Sequence, residues 1–276
     1  MTGSTGAPVV VGVGPSPQCT EVVRQAAREA AAHGRELVLL HAFNWQAAFE
    51  GESVAGTRAE ADELISQAGA IAAEVEPEVS VSAEIVEGAP VAALTRRSES
   101  AFLLAIGDGG MAGCGDCVPA DAPAVQLAAR AGCPVLVVRR DPPVAGPVLI
   151  GVDGSASSRT ALGFAFDCAA RREARLLAVR IVEPGRADDG DDVLVEAVAE
   201  AGRRHPAVAA ECHTVRGDPG TVLVEQSRSA QVALVGARGD EAWRGMLGAV
   251  SQTLLYHAPS PVIVVRGLTT TVPDGP

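Results

Sequence analysis

The strongest constraint in this chain is that it is written twice. Val9–Pro17 (VVVGVGPSP) recurs as Val148–Ala156 (VLIGVDGSA), and Val86–Leu94 (VEGAPVAAL) recurs as Val215–Leu223 (VRGDPGTVL). Ala101–Gly110 (AFLLAIGDGG) recurs as Ala230–Gly239 (AQVALVGARG), and Gly132–Arg140 (GCPVLVVRR) as Pro259–Gly267 (PSPVIVVRG). The order is identical in both copies, and the offset drifts only from 139 to 129 to 127 residues. Four ordered matches imply one folding pattern laid down in tandem.

Within each copy short Val/Ile/Leu runs alternate with helical patterns, the signature of a parallel sheet covered on both faces. The second copy predicts strands at Val148–Val152, Leu176–Val182, Ala209–Val215, Val232–Val235 and Val262–Val265. Helices are expected near Ser157–Ala174, Asp192–Arg204, Gly220–Ser229 and Met246–His257. The fold class is therefore α/β: two tandem, doubly wound, five-stranded parallel sheets of Rossmann-like type. The boundary falls in the Pro-rich stretch Arg140–Pro147, giving domains at 1–140 and 148–276 with a linker at 141–147. In such sheets a ligand binds beyond the carboxyl ends of the strands, where strand order switches.

Composition removes several function classes. All 22 positive charges are arginines, so a Walker A loop and a Schiff-base lysine are both excluded. Against 34 carboxylates they leave a net charge of −12, which repels nucleic-acid backbones and anionic membrane surfaces. Two Trp, one Tyr and five Phe make a poor base-stacking platform. No basic region precedes an apolar run at the N-terminus, and no stretch reaches the roughly 18 apolar residues of a membrane span. Six cysteines are too few for a disulfide scaffold, and a cytoplasmic setting is the expectation.

The chemistry is expected at the strand ends of the second copy. Its first strand ends in Asp153-Gly154-Ser155, where the Asp could meet a ribose hydroxyl or a metal-bound phosphate, or could close an Asx turn. Ser155 or Ser157 could cap the helix that follows. The fourth strand runs into Gly236-Ala237-Arg238-Gly239, and Gly248-Ala249-Val250-Ser251 opens the last helix. Glycines let a backbone approach phosphate closely, and a helix N-terminus presents free N–H groups and a positive dipole end.

With these features both copies resemble the universal stress protein family, over about Ala7–Asp141 and Gly146–Leu268. The matching motifs are Asp-Gly-Ser after strand one, Gly-x-Pro opening the third helix, Gly-x-x-Gly after strand four, and the Pro-Val last strand. The resemblance implies ATP binding with Mg, a dimeric arrangement, and a role in stress response without a catalytic triad. Carried onto this chain, Asp153 would contact the ribose and metal side, and the Ile181 backbone the adenine. Gly236, Gly239, Gly248, Ala249, Val250 and Ser251 would surround the phosphates, with Val152 and Val235 beside them.

The chain departs from the family pattern in identifiable places. Eight residues, not nine, separate Gly239 from Gly248, and Ala249 stands where the family carries Ser or Thr. One hydroxyl hydrogen bond is lost, worth about 0.5–1.5 kcal/mol. Arg238 is either a phosphate partner or a solvated loop arginine. The first copy has Gly14-Pro15-Ser16 in place of Asp153-Gly154-Ser155, and Asp121-Ala122-Pro123-Ala124 in place of Gly248–Ser251. Pro123 removes a donor, and Asp108, Asp116 and Asp121 would set negative charge beside any phosphate. No tight nucleotide site is expected there, and that copy reads as a pseudo-subunit completing an intrachain dimer.

Other constellations are weaker. Cys114-Gly-Asp-Cys117 could be a redox pair or half a zinc site, but no second C-x-x-C or paired His follows. Cys133 and Cys168 read as core, and Cys19 and Cys212 have no motif partner. His33, His41, His205, His213 and His257 lack metal-ligand spacing. Asp188–Asp192 lacks the spacing and closing Glu of a calcium loop. The expectation is a non-enzymatic, ATP-binding regulator with its site in the second copy. It would act on an unknown protein partner, as a homodimer or intrachain pseudo-dimer. The alternatives are a nucleotide-free dimerisation scaffold and a thiol sensor built on Cys114 and Cys117.

Overall fold

The computed structural model describes residues 6–43, 58–109, 122–143, 145–185, 192–237 and 246–266. In the first half β1 (Val9–Gly12) leads to α1 (Cys19–Ala32), then β2 (Leu37–Phe43), α2 (Arg58–Val75) and β3 (Val81–Glu87). The half continues through α3 (Pro90–Ser98), β4 (Leu103–Gly107), α4 (Pro123–Arg130) and β5 (Val135–Val138). The second half repeats the series: β6 (Val148–Gly151), α5 (Ala156–Arg171), β7 (Leu176–Val182), α6 (Asp192–Gly202), β8 (Ala210–Arg216). It ends with α7 (Pro219–Ser227), β9 (Val232–Gly236), α8 (Ala249–His257) and β10 (Val262–Val265). The strands expected from sequence in this half are all present, displaced by no more than a residue at either end. The last helix starts at Ala249 rather than Met246, because Gly248 takes an extended N-cap conformation.

Each half is parallel, but the two do not form separate sheets. They join edge to edge in one ten-stranded sheet of order β3-β2-β1-β4-β5-β10-β9-β6-β7-β8. The join is antiparallel, with Val262 opposite Val137 and Val264 opposite Val135. Neither β5 nor β10 is left as an open edge, which removes a template for unwanted strand pairing. Each face of the sheet carries one buried apolar cluster, and both clusters draw residues from the two halves. Val9, Val11, Ile150 and Leu234 share one face, and Val10, Leu104, Leu149 and Val262 the other. Residues buried on both sides explain the unbroken Val/Leu/Ile runs, each such side chain contributing about 1.5–3 kcal/mol. The outer strands differ from the expectation of full burial: much of β3 and β8 is exposed. They have a neighbour on one side only, and their sequences are correspondingly polar.

On the face carrying α1 and α5, the two halves are tied by charge as well. Glu29 of α1 is buried and pairs with Arg172, which also reaches Cys168 Sγ at 3.2 Å and Gln231 Oε1 at 3.2 Å. His33 lies beside Phe102 and Phe164, with ring centroids 4.5 and 6.2 Å away. Burial, and then the charges of Arg171, Arg35 and Arg172, pull its pKa down to about 4, so the imidazole is neutral near pH 7.

The second tie is Arg139, only 2% exposed at the end of β5. Its guanidinium pairs with Asp108 at 3.2 Å and donates to Leu254 O at 2.9 Å and Leu255 O at 2.7 Å. A cation thus meets the carboxyl end of α8, which carries the negative pole of its dipole. Burial lowers the guanidinium pKa, and Asp108 opposes that shift. Asp108, expected from sequence to set negative charge beside any phosphate, has that charge paired with Arg139 in the core. Such a pair survives in the core because its remaining donors are also satisfied.

Candidate functional site

In the second half β6 lies between β7 and β9, so its carboxyl end is the point where strand order switches. A cavity of about 430 Å³ opens there. Val152 and Asp153 line it from the end of β6, Ile181 from β7, and Val235 and Gly236 from β9. Gly248, Ala249, Val250 and Ser251 enter from the start of α8. The structure therefore brings together every predicted site residue that it describes. Gly239 and Arg238 lie outside the described residues, as do Cys114, Cys117, Asp116, Asp121 and Asp188–Asp191.

The turn after β6 is built by three residues. Gly154 has φ of +83°, a left-handed conformation that costs glycine little. The turn lets Ser155 N donate to Asp153 Oδ1 at 2.9 Å, so the carboxylate does close an Asx turn. Ser155 Oγ accepts from Ser158 N at 3.1 Å and caps α5. Partial burial raises the Asp153 pKa, but hydrogen bonds from the Ser155 hydroxyl and amide and from Ser158 outweigh it and hold the carboxyl below its ordinary range. Those bonds leave part of the carboxylate's roughly four lone-pair positions to a ligand.

The opposite wall is the α8 N-terminus. Gly248 N donates to Ala237 O at 2.9 Å, and Ser251 Oγ to Gly236 O at 2.7 Å. These two bonds fasten the helix start to the end of β9. The Ser251 hydroxyl is thereby committed to a backbone carbonyl, leaving its amide as the group to offer a ligand. Gly248 provides no side-chain cap, and the amides of Ala249, Val250 and Ser251 have no acceptor among the described residues. Three unpaired N–H groups at the positive end of a helix dipole favour an anion. Gly236 is required by packing: a Cβ there would fall 2.2 Å from Ser157 Oγ.

Sequence reasoning missed part of the wall. Arg180 and Glu183 flank Ile181, and Pro219 and Leu223 of α7 close the remaining side. The Gly-x-Pro motif was the available signal for α7, since Pro219 at a helix start after β8 must sit at the same edge as Asp153. Among the described residues no cluster of three or more His, Cys, Asp or Glu is placed to hold a metal. A cation here would therefore lean on ligand oxygens as well as Asp153. Burial pushes the Cys133 and Cys168 thiols up to about 12 and raises those of Cys19 and Cys212, which disfavours the thiolate in all four. No described helix is long and apolar enough to cross a membrane.

A mostly parallel, doubly wound sheet with a helix start and a carboxylate at the switch point places the chain among the doubly wound α/β folds. Comparison with known proteins narrows the class. The model of the universal stress protein family matches residues 7–139 and again 145–266, and the chain belongs to that family. It is 32% identical to a universal stress protein of Mycolicibacterium smegmatis, covering 94% of this chain and 96% of that one. It is equally similar, at 32%, to a universal stress protein of Mycobacterium tuberculosis, over 96% of this chain and 98% of the relative. Among solved structures, a universal stress protein from Archaeoglobus fulgidus shares the fold with a TM-score of 0.69. That match covers 95% of this chain and 96% of that structure at 18% identity.

Proposed function

We propose that the second half binds ATP, with Mg, in the cavity at the end of β6, and that the protein works as a nucleotide-dependent regulator without turnover. The observation that carries this reading is the pairing, across one cavity, of Asp153 with three amides at the start of α8 that have no acceptor among the described residues. The volume, about 430 Å³, lies within the range of small-molecule sites. Bound ATP would supply a chain of phosphate oxygens, to which Mg adds a bridging charge. The α8 amides would hold phosphate, Asp153 would face ribose and cation, and the Ile181 backbone would face the base. The first half offers no equivalent: Pro15 replaces Gly154, and Pro123 opens α4 where Ala249–Ser251 open α8.

The same residues that would meet phosphate also tie α8 to β9. Occupancy would therefore favour one arrangement of this corner, and a partner that contacts it would sense the difference. A nucleotide-free scaffold is the second reading, favoured by Ala249 and by the engagement of the Ser251 hydroxyl with Gly236 O.

The test is to denature the purified protein and identify any released nucleotide by mass, with its stoichiometry, followed by Mg-ATP titration. About one ATP per chain is expected, with no phosphate release above background. Two per chain would place a site in the first half as well, and none in either experiment would leave the scaffold. Replacing Asp153 by Ala is expected to weaken ATP about 10–100-fold, from a charge-assisted bond worth about 1.5–3 kcal/mol. Unchanged affinity would remove Asp153 from the site.

A further inference from the structure

The join between the halves creates two grooves on the α1/α5 face, related by the internal repeat. One is lined by α1, the α2 terminus and the residues after β5 (Glu21, Glu76, Arg140), together with Arg172 and Gln231 of the second half. The other, larger at about 1440 Å³ against 820 Å³, is lined by α5, α6 and the residue after β10. Its far side is the strand-start edge of the first half, from Ala101 and Phe102 to Cys133 and Pro134.

Their charges have diverged. The smaller groove sets five arginines against four carboxylates, Glu21, Glu29, Glu76 and Asp141. Among the described residues the larger sets Arg35, Arg159, Arg203, Arg204 and Arg266 against two carboxylates, Asp167 and Glu200. Corresponding positions show how this came about. Thr160 of α5 stands where α1 has Glu21, and Arg203 follows α6 where Glu76 follows α2. The remaining carboxylates are already engaged: Glu200 pairs with Arg203 at 3.1 Å and Asp167 with His205 at 2.9 Å. Arg35 and Arg159 donate to backbone carbonyls, of Ala7 and Gly154, and Arg204 makes no ion pair among the described residues. A surplus of cations thus collects in one groove of a chain whose net charge is −12.

Part of the floor is aromatic. Phe102 and Phe164 lie 5.8 Å apart between ring centroids, and Arg35 sits over the Phe102 ring at 4.0 Å. The volume exceeds the roughly 300–1,000 Å³ of small-molecule sites and suits a stretch of polypeptide. Guanidinium forks match carboxylates in pairs, which a hydrated surface charge does not require. We propose that this groove is a docking site for an acidic, partly apolar segment of a partner protein. The proposal does not depend on nucleotide binding at the β6 cavity.

The full-length protein is titrated into a fluorescein-labelled glutamate- and leucine-rich peptide, followed by anisotropy at low and physiological ionic strength. Counterparts carrying Gln or Lys for Glu, inorganic triphosphate as competitor, and sedimentation of the protein alone complete the set. The acidic peptide is expected to bind, the Gln counterpart about 10-fold or more weakly, and the Lys counterpart not at all. Joint Arg203→Glu and Arg204→Glu substitution, at exposed positions, is expected to lower affinity about 10-fold or more with an unchanged thermal midpoint. Arg204→Gln alone should lower it by about 2–5-fold, and Arg28→Glu in the compensated groove by less than about 2-fold. Peptide should also slow hydrogen exchange in α5 and α6. No binding of the acidic peptide, equal binding of the Gln counterpart, or equal loss in Arg28→Glu overturns the proposal. Full displacement by equimolar triphosphate overturns it in favour of a small-anion site. Self-association abolished by the Arg203/Arg204 changes overturns it in favour of a second copy of this chain.

Discussion

The two halves share one strand order, yet the corner that follows β4 and its counterpart after β9 serve opposite ends. At the end of β9 the chain presents Gly236 and Ala237, and α8 opens on amides that have no acceptor among the described residues and face a cavity. After β4 the matching positions are Gly107 and Asp108, and Asp108 points into a buried pair with Arg139. The helix caps differ in the same direction. Ser155 and Asp218 cap α5 and α7 through their side chains, whereas Gln18 and Ala89 make no such bond at α1 and α3. The corner of the first half acts instead as a clamp on the second. Arg139 grips the carboxyl end of α8, the helix whose amino end lines the candidate site. The Arg266 guanidinium, its counterpart after β10, reaches Ala131 O just past α4, so the clamp is reciprocal, with Ala237 at the position that Asp108 holds in the first half.

The comparison can be broken most forcefully at Arg139. Replacement by Ala leaves Asp108 buried without its cation and uncaps α8. A loss of about 3–5 kcal/mol in urea unfolding is expected, with Asp108→Ala comparable. Arg266→Ala, at a more open position, should cost about 1 kcal/mol or less. Equal effects from the two arginines would show that the clamp is not specialised.

The glycines that end β4 and β9 give a matched pair. Gly236→Ala would drive a Cβ to 2.2 Å from Ser157 Oγ, with the Ser157 backbone carbon 3.2 Å away. Gly107→Ala meets side chains alone, Gln18 Oε1 at 3.0 Å and Val22 Cγ2 at 3.4 Å. The Gln18 side chain can shift at some cost to its 2.9 Å bond to Val138 O, whereas the Ser157 helix backbone cannot, so thermal unfolding should register about 1–3 kcal/mol for the first and about 1 for the second. The smallest change sharpens the contrast from the other side. Ala249→Ser returns a hydroxyl to the α8 start and should improve Mg-ATP affinity by about 2–10-fold in a titration. No gain would mean that the hydroxyl position does not face the ligand.

Much of this was legible in the residues. Unbroken runs such as Val135–Val138 and Val262–Val265 can only be central strands, because charged or alternating sequences could not be buried on both sides. Two prolines mark where the first half departs from the second. Pro15 is held at φ near −65° and cannot take the +83° of Gly154, so the Asx turn beside Asp153 has no counterpart there. The acidic character of Asp108 was visible too, but its role was not, since nothing local indicates that Arg139 will lie against it.

The sequence by itself determined the repeated α/β pattern, the strands and helices, and the set of residues that converge on the β6 cavity. These follow from local periodicity, turn chemistry and the rule that strand ends in such sheets share an edge. Tertiary structure alone decided that the halves meet through β5 and β10 in one antiparallel join, and that Glu29 and Arg172 pair across it. It also decided that two repeated grooves ended with unequal charge. Those contacts link residues more than a hundred positions apart, and their energies depend on burial and on distances that no local pattern encodes.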